Sequence, residues 1–177
     1  MKLYHGTYLE NLIKIIKDGK LDNTKTDEST SEFDDLFVKY LGENMTANAI
    51  YFADDIIYTK SGYDYEFEVD TNSELIDKNK LFVADFDARV DMSCAETDEE
   101  ALIFAKKYKE SFIPFNEYEK KLAEYDCNHT CREFLYFDTI DVSSQIHNNK
   151  DEILDEFRRN WMYKEDYKEQ LGSFYDR

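Results

Sequence analysis

The stretch Lys2-Leu3-Tyr4-His5-Gly6-Thr7 decides the start of the fold, because a short apolar run ends there in a histidine and a glycine. The run is typical of a β-strand, and helical periodicity begins directly after it. Glycine has no Cβ, so a ligand can approach its backbone closely. The stretch therefore predicts a strand followed by a sharp turn, with His5 and Gly6 held at the corner beside a possible ligand.

The helix that follows is predicted from three signals. Thr7 and Glu10 have the spacing of a capping box, in which two side chains satisfy free amides at a helix start. Gly19 stands where a left-handed residue commonly ends a helix. Between these positions, apolar residues recur at i, i+3, i+4 and i+7, namely Leu9, Leu12, Ile13 and Ile16.

Length, composition and charge limit the possible classes of protein. A chain of 177 residues has the size of one domain, and 42% hydrophobic content is sufficient for a packed core. The formal net charge of −18 creates a field that repels polyanions, so a nucleic-acid partner is disfavoured. We therefore expect one acidic globular domain.

Cysteine usage and hydropathy predict a cytoplasmic protein. Cys94, Cys127 and Cys131 are odd in number, and we expect no secretion segment ahead of them. Reduced thiols are typical of the cytoplasm. No apolar run has the length needed to cross a bilayer, so no membrane association is expected.

Further along the chain, the hydrophobic patterns predict a mixture of strands and helices. Strands are expected at Ala49–Ala53, at 63–70, at Leu81–Ala84 and at Arg132–Ile140, the strongest of the four. A second capping box at Thr97 and Glu100 begins a helix, and further helices are predicted within 36–41, after Pro114 and from Asp151, with Trp161 facing inward. Residues 22–35 are predicted to form an exposed loop. The class is therefore α+β.

Three polar residues are not explained by packing alone, namely His5, Tyr51 inside an apolar run, and Glu133 at the opening of the strongest strand. Each has an ordinary structural explanation. A histidine at a strand end is more often structural than catalytic, a tyrosine in a strand is usually core, and a glutamate at an edge is usually solvated. Taken one at a time, these explanations are preferred.

Taken together, the three positions carry a resemblance. Three segments are involved, in this order: 4–7 (YHGT), 50–54 with 60–63 (IYFAD and KSGY), and 132–136 (REFLY). They resemble the three motifs of the ADP-ribosyltransferases of the diphtheria-toxin and poly(ADP-ribose) polymerase type. That family is known for a His-Tyr-Glu triad. The matches span roughly residues 2–140. The resemblance implies a split antiparallel sheet core in a catalytic domain at 1–150, with a C-terminal helix at 151–177 packed on it or extending from it.

The resemblance also implies a role for each matched residue. Glu133 would accept a hydrogen bond from a hydroxyl of the nicotinamide ribose, and His5 would bind a ribose hydroxyl of the adenosine half. The backbone of Gly6 would hold the nicotinamide amide. The other NAD-binding positions implied are Thr7, Tyr51, Phe52, Ser61 and Tyr63, with Tyr65 as the alternative to Tyr63 for stacking on the ring.

The implied function is NAD-dependent mono-ADP-ribosyl transfer to a macromolecular acceptor, with protein favoured and nicotinamide released. NAD is the substrate and no metal is expected. Cys131 stands two residues before Glu133, where arginine-modifying relatives carry Glu or Gln, so arginine modification is disfavoured. By analogy, the role would be that of a toxin, an effector or a phage-encoded modifier.

Three alternatives remain open. Residues 127–131 (CNHTC) offer three metal ligands but no fourth, so a structural loop is favoured there. A second alternative is an NAD-dependent nucleic-acid-modifying enzyme of the same fold, such as an RNA 2′-phosphotransferase. The phosphotransferase needs an arginine-lined pocket, and this chain has few arginines. A catalytically inactive NAD or ADP-ribose binder, or an acidic interaction protein, is the non-enzymatic alternative.

Overall fold

The structure is a computed structural model that describes residues 1–22, 32–60, 62–121, 131–160 and 166–174. It is a mixture of α-helices and small antiparallel sheets. The strands are β1 (Lys2–Thr7), β2 (Lys20–Leu21), β3 (Ile50–Phe52), β4 (Tyr65–Asp70), β5 (Leu81–Asp85), β6 (Ile113–Pro114), β7 (Arg132–Tyr136) and β8 (Ile140–Asp141). The helices are α1 (Leu9–Asp18), α2 (Glu32–Leu41), α3 (Ile56–Lys60), α4 (Phe86–Cys94), α5 (Asp98–Ser111), α6 (Phe115–Lys120), α7 (Ser143–Asn148), α8 (Lys150–Asn160) and α9 (Asp166–Leu171).

The strands form three antiparallel sheets. β1 pairs with β4, β2 pairs with β8, and the largest sheet has the order β3-β7-β5-β6. A bridge between Tyr4 and Ala53 joins β1 to the end of β3, through backbone hydrogen bonds of 2.8 and 2.9 Å. The strand that carries His5 is therefore fixed directly to the strand that carries Tyr51.

The first strand and helix form as predicted, but two details differ. His5 and Gly6 lie inside β1, paired with Phe67 and Glu66, and not at a corner after it. The predicted capping box of Thr7 and Glu10 is wrong, because α1 begins at Leu9 with Tyr8 as its N-cap and no side-chain cap from that residue.

Asp64 provides the cap that the local sequence does not. Its Oδ2 accepts a 3.1 Å hydrogen bond from the backbone N–H of Leu9, across 55 residues of sequence. At the other end of α1, Gly19 adopts a left-handed conformation with φ of 69°, as predicted. Thus a distant carboxylate caps the start of α1, while a local glycine ends it.

The other predicted elements agree with the structure with small shifts in their bounds. The apolar residues of β4 alternate onto one buried face, as the period-two pattern predicts. Thr97 accepts from the N–H of Glu100 and caps α5. α2 begins at Glu32, so the loop prediction is wrong for residues 32–35, which are helical. β7 ends at Tyr136 and is shorter than predicted.

One cluster of buried residues joins the N-terminal and C-terminal parts of the chain. Leu3 and Phe67 from the first sheet and Phe134 from β7 belong to the same cluster as Ile153 and Phe157 of α8. A second cluster packs α2, α4 and α5 behind β7, and it includes Phe37 and Tyr108. The predicted positions of Trp161, most of the 22–35 loop and the end of the helix after Pro114 lie outside the described residues.

None of the described helices is long and apolar enough to cross a membrane.

Candidate functional site

A cavity of about 1040 Å³ lies beside the Tyr4–Ala53 bridge, the seam between β1 and β3. Its walls come from β1, the polar face of α1, β3, the start of α4 and the opening of β7. Small-molecule and cofactor sites commonly occupy about 300–1,000 Å³, so the cavity is at the upper end of that range. Space is therefore sufficient for a ligand larger than a single sugar or base.

The cavity gathers most of the predicted site residues. Seven of them line it, namely His5, Gly6, Thr7, Tyr51, Phe52, Tyr63 and Glu133. Ser61 lies outside the described residues. Tyr65 does not line the cavity, because its side chain is buried in the core and its hydroxyl accepts from Asn149. Of the two tyrosines predicted for ring stacking, it is therefore Tyr63 that lies at the cavity.

His5 is oriented by the backbone of the neighbouring sheet. Its Nδ1 lies 2.9 Å from the carbonyl oxygen of Tyr51. A carbonyl can only accept, so Nδ1 carries the proton, and burial lowers the pKa of His5 and so favours the neutral ring. Nε2 is then an acceptor, which suits a ligand hydroxyl.

Tyr51 lies on β3 with Leu135 of β7 as its strand partner. Burial raises the pKa of Tyr51 to about 12, so its hydroxyl remains protonated at neutral pH. The guanidinium carbon of Arg89 lies 4.9 Å from the centre of its ring, within the range of a cation–π contact. Tyr51 therefore contributes an aromatic surface and a neutral hydroxyl, and not a base.

Gly6 and Tyr63 are in very close contact. A Cβ placed on Gly6 would lie 2.2 Å from Cδ2 of Tyr63, so the ring rests directly on the backbone of β1. Tyr63 is 44% exposed and also contacts the ring of Tyr8, with ring centres 5.1 Å apart. A ligand that used the backbone of Gly6 would have to share this surface with Tyr63 or displace its ring.

Glu133 is the most enclosed acidic group of the site, at 4% exposure. Its Oε1 accepts a 2.5 Å hydrogen bond from the hydroxyl of Tyr108, and its Oε2 lies 2.9 Å from a guanidinium nitrogen of Arg89. Burial raises the pKa of Glu133, while Arg89 and Tyr108 act in the opposite direction. The carboxylate is therefore fixed in position by two partners on different helices.

Sequence reasoning missed both of these partners. Tyr108 lies on the apolar stripe of α5, where an aromatic residue is ordinarily core, and nothing local marks its hydroxyl. Arg89 follows Ala88, which is fully buried in α4. The one available signal was a charged residue beside a buried position in a short helix, and that pattern is weak.

The charge of the cavity differs from that of the chain. Its lining contains equal numbers of basic and acidic side chains, whereas the chain carries a net charge of −18. The basic members are Lys14, Lys20, Arg89 and Arg132, and the acidic members are Glu10, Asp18, Asp22 and Glu133. An anionic ligand would therefore meet less repulsion in the cavity than over the rest of the surface.

Most of the segment 127–131, considered above as an alternative metal site, lies outside the described residues, which omit 122–130. Cys131 is partly buried and lies at the cavity wall. Within the described ranges, no group of three or more His, Cys, Asp or Glu side chains could hold a metal ion.

These groups suit a ligand with hydroxyls and a flat ring. His5 offers an acceptor, Tyr51 and Tyr63 offer aromatic surfaces, and Glu133 offers a carboxylate held by Arg89 and Tyr108. A fixed carboxylate in an enclosed site can stabilise positive charge that develops on a substrate.

No protein-family model matches the chain, and searches of curated proteins and of solved structures also found no match.

Proposed function

We propose that the protein is an NAD-dependent mono-ADP-ribosyltransferase that modifies a macromolecular acceptor, with protein as the favoured class. The observation that carries this proposal is that His5, Tyr51 and Glu133, which are far apart in the sequence, line one cavity. The motif resemblance predicts these three residues from the sequence alone. Acidic charge over most of the chain disfavours a nucleic-acid acceptor.

The arrangement of the sheets supports the same proposal. A split antiparallel core is what the resemblance implies, and β1-β4 and β3-β7-β5-β6 are separate antiparallel sheets joined at the Tyr4–Ala53 bridge. The cavity opens beside that bridge. We therefore extend the proposal to the fold, as an ADP-ribosyltransferase-like core to which α8 and α9 are added.

The size and polarity of the cavity support NAD as the ligand. The cavity volume is that of a large cofactor pocket. Nε2 of His5 would accept from a hydroxyl of the adenosine ribose. Tyr51 and Tyr63 would flank the nicotinamide ring, with Phe52 and Thr7 completing the wall beneath it. Glu133 would accept from the 2′-hydroxyl of the nicotinamide ribose.

The reaction requires one bond to break and one to form. The glycosidic bond between the ribose C1′ and the nicotinamide nitrogen breaks, and nicotinamide leaves with the bonding pair as a neutral molecule. A lone pair of the acceptor then forms the new bond to C1′, and the acceptor loses its proton to solvent. Positive charge on the sugar in between is what a carboxylate such as Glu133 would stabilise.

The test is to incubate the protein with NAD labelled in the adenylate half and with a cell lysate. We expect labelled macromolecules and stoichiometric free nicotinamide. Glu133→Gln should lower turnover by about 10²–10³-fold, the usual effect of removing one electrostatic stabiliser. Glu110→Gln, an exposed substitution on α5, is the control and should leave the rate unchanged. Full turnover by folded Glu133→Gln would contradict the assignment.

A second candidate is NAD or ADP-ribose binding without turnover. It is favoured by one observation, namely that Oε1 of Glu133 already accepts a hydrogen bond from Tyr108, while the buried Oε2 lies 2.9 Å from Arg89. Tight binding of NAD to the unmodified protein, with no release of nicotinamide and no labelled acceptor, would favour this candidate over the enzyme.

NAD-dependent 2′-phosphotransfer is not proposed. Arg89 and Arg132 both line the cavity. However, Arg89 is paired with Glu133, and Arg132 donates a 2.9 Å hydrogen bond to Tyr118 and lies over its ring. A phosphate group would have to compete with these contacts.

A further inference from the structure

The guanidinium of Arg89 contacts both Glu133 and two aromatic rings beside the cavity. It lies 2.9 Å from Oε2 of Glu133, and its central carbon is 4.9 Å from the ring centre of Tyr51 and 5.1 Å from that of Phe86. Its side chain retains only 12% exposure, and it lines the cavity. Thus one cation contacts both the carboxylate and an aromatic wall of the proposed site.

The backbone delivers Arg89 to this place. α4 begins directly after β5, where the side chain of Asp85 accepts from the N–H of Ala88. The N–H of Phe86 donates a 2.9 Å hydrogen bond to the carbonyl of Cys131, the residue that precedes β7. The first turn of α4 is therefore fixed to the opening of the strand that carries Glu133.

Stability alone does not account for this ion pair. Taking two charges out of water costs about as much as their attraction returns, and replacing a buried pair by apolar residues is often neutral or stabilising. A buried pair that also forms part of a cavity wall is better explained by what the carboxylate must do there.

Among the residues that the structure describes, four ionisable groups face Glu133 from the elements packed around it. They are Arg89 of α4, Tyr108 of α5, Asp85 of β5 and Tyr51 of β3. Asp85 is itself paired with Lys107 at 3.2 Å. Of the four, only Arg89 carries a positive charge. Tyr108 donates a hydrogen bond, Asp85 adds to the negative field, and Tyr51 is neutral.

We propose that Arg89 is a positioning residue for the reaction, which holds Glu133 as an ionised carboxylate aimed at the cavity. The inference rests on the proposed function only in taking Glu133 as the catalytic carboxylate. The guanidinium supplies the charge that a buried glutamate needs in order to remain ionised, and its stacking on Tyr51 and Phe86 fixes the direction from which it acts.

The test combines a titration that needs no turnover with a kinetic profile. The side-chain carboxyl of Glu133 is followed by ¹³C NMR in the wild type, in Arg89→Met, which keeps the length of the stem, and in Arg89→Lys, which keeps the charge. We expect Arg89→Met to raise the titration midpoint of Glu133 by about one pH unit or more, because the buried carboxyl loses its counter-charge. In Arg89→Lys, which keeps the charge, the midpoint should remain close to that of the wild type. Arg158→Met, which removes an exposed cation from α8, is the control.

The kinetic profile separates positioning from binding. In Arg89→Met the acidic limb of the kcat/KM profile, which reports the free enzyme, should move to higher pH by the same amount as the NMR midpoint, while KM for NAD at the pH optimum changes less than twofold. An unchanged Glu133 midpoint in folded Arg89→Met would overturn the inference. Absence of NAD turnover in the wild type would instead overturn the proposed function and leave the titration valid.

A measurement on the wild type covers the case in which Arg89→Met does not fold. The Nε–H resonance of Arg89 should titrate with the same midpoint as the carboxyl of Glu133, because the two groups are in contact. A resonance that does not respond at that midpoint would also overturn the inference.

Discussion

The hydroxyl of Tyr108 donates a 2.5 Å hydrogen bond to Oε1 of Glu133 and so joins the last turn of α5 to the opening of β7. Both residues are buried, Tyr108 completely. A hydrogen bond to a charged group in such surroundings is among the stronger ones in proteins. The proposed catalytic carboxylate is therefore held at Oε1 by the buried Tyr108 and at Oε2 by Arg89.

Removing this hydroxyl should weaken the fold and change the titration of the site. Tyr108→Phe is expected to lower the free energy of unfolding by about 1–3 kcal/mol, measured by urea denaturation. It should also raise the pKa of Glu133, because the hydrogen bond favours the ionised form. Tyr40→Phe, which removes an exposed hydroxyl bonded to Asp98, is the matched control and should cost less than 1 kcal/mol. Equal losses in the two variants would contradict the prediction.

The contact between Gly6 and Tyr63 predicts a non-additive pair of substitutions. Gly6→Ala should destabilise the protein by about 1–3 kcal/mol, because the new methyl group would overlap the ring of Tyr63. Tyr63→Ala should cost little, since the ring is 44% exposed. In the double variant the cost of Gly6→Ala should largely disappear. Thermal unfolding of the four proteins measures this coupling, and strictly additive effects would show that the ring does not rest on Gly6.

The cap of α1 predicts different effects for two neighbouring polar residues. Asp64→Ala should lower the free energy of unfolding by about 1 kcal/mol, because it removes the acceptor for the N–H of Leu9. Thr7→Val keeps the buried volume and removes only the hydroxyl, so its cost should be clearly smaller, since Thr7 makes no capping contact. Chemical denaturation of both variants distinguishes the distant cap from the local one. A larger loss for Thr7→Val would restore the capping box.

His5 should make the stability of the protein depend on pH in mildly acidic solution. Burial lowers its pKa in the folded state, so below about pH 6.5 the unfolded chain takes up the proton first. Stability is therefore full above the unfolded value and falls as the pH decreases towards the folded value. His5→Gln can still donate to the carbonyl of Tyr51 but does not titrate, so its unfolding free energy should decline less between pH 7.5 and 5. Parallel curves would contradict the lowered pKa of His5 in the folded state.

Local patterns were sufficient for most of the strands. The alternation of Tyr65, Phe67 and Val69 predicted which face of β4 is buried, because side chains on a strand alternate sides regardless of what the rest of the chain does. The same pattern could not show that Tyr65 would be taken up by the core and leave the cavity wall to Tyr63. That outcome depends on α7 and α8, since Tyr65 receives its hydrogen bond from Asn149 between them.

Non-local contacts account for the predictions that were wrong or missing. Thr7 had the spacing of a cap, but Asp64 caps the helix instead. Nothing near Thr7 in the sequence could reveal an acceptor that lies 55 residues beyond Leu9. Arg89 and Tyr108 were missed for the same reason. A charged residue in a weakly patterned helix and a tyrosine on an apolar stripe acquire a role only when β7 brings Glu133 between them.

The seam between β1 and β3 has a consequence for how the pocket moves. Tyr4 and Ala53 exchange two backbone hydrogen bonds, and the imidazole of His5 holds the carbonyl of Tyr51 immediately beside them. The acceptor nitrogen and the aromatic wall thus belong to one rigid body, so a dinucleotide would find them already spaced and would lose little entropy in ordering them. Movement at the pocket is left to its exposed side chains, such as the ring of Tyr63, which is 44% exposed. The amide protons of Tyr4 and Ala53 should accordingly exchange with deuterium as slowly as those of the central strands.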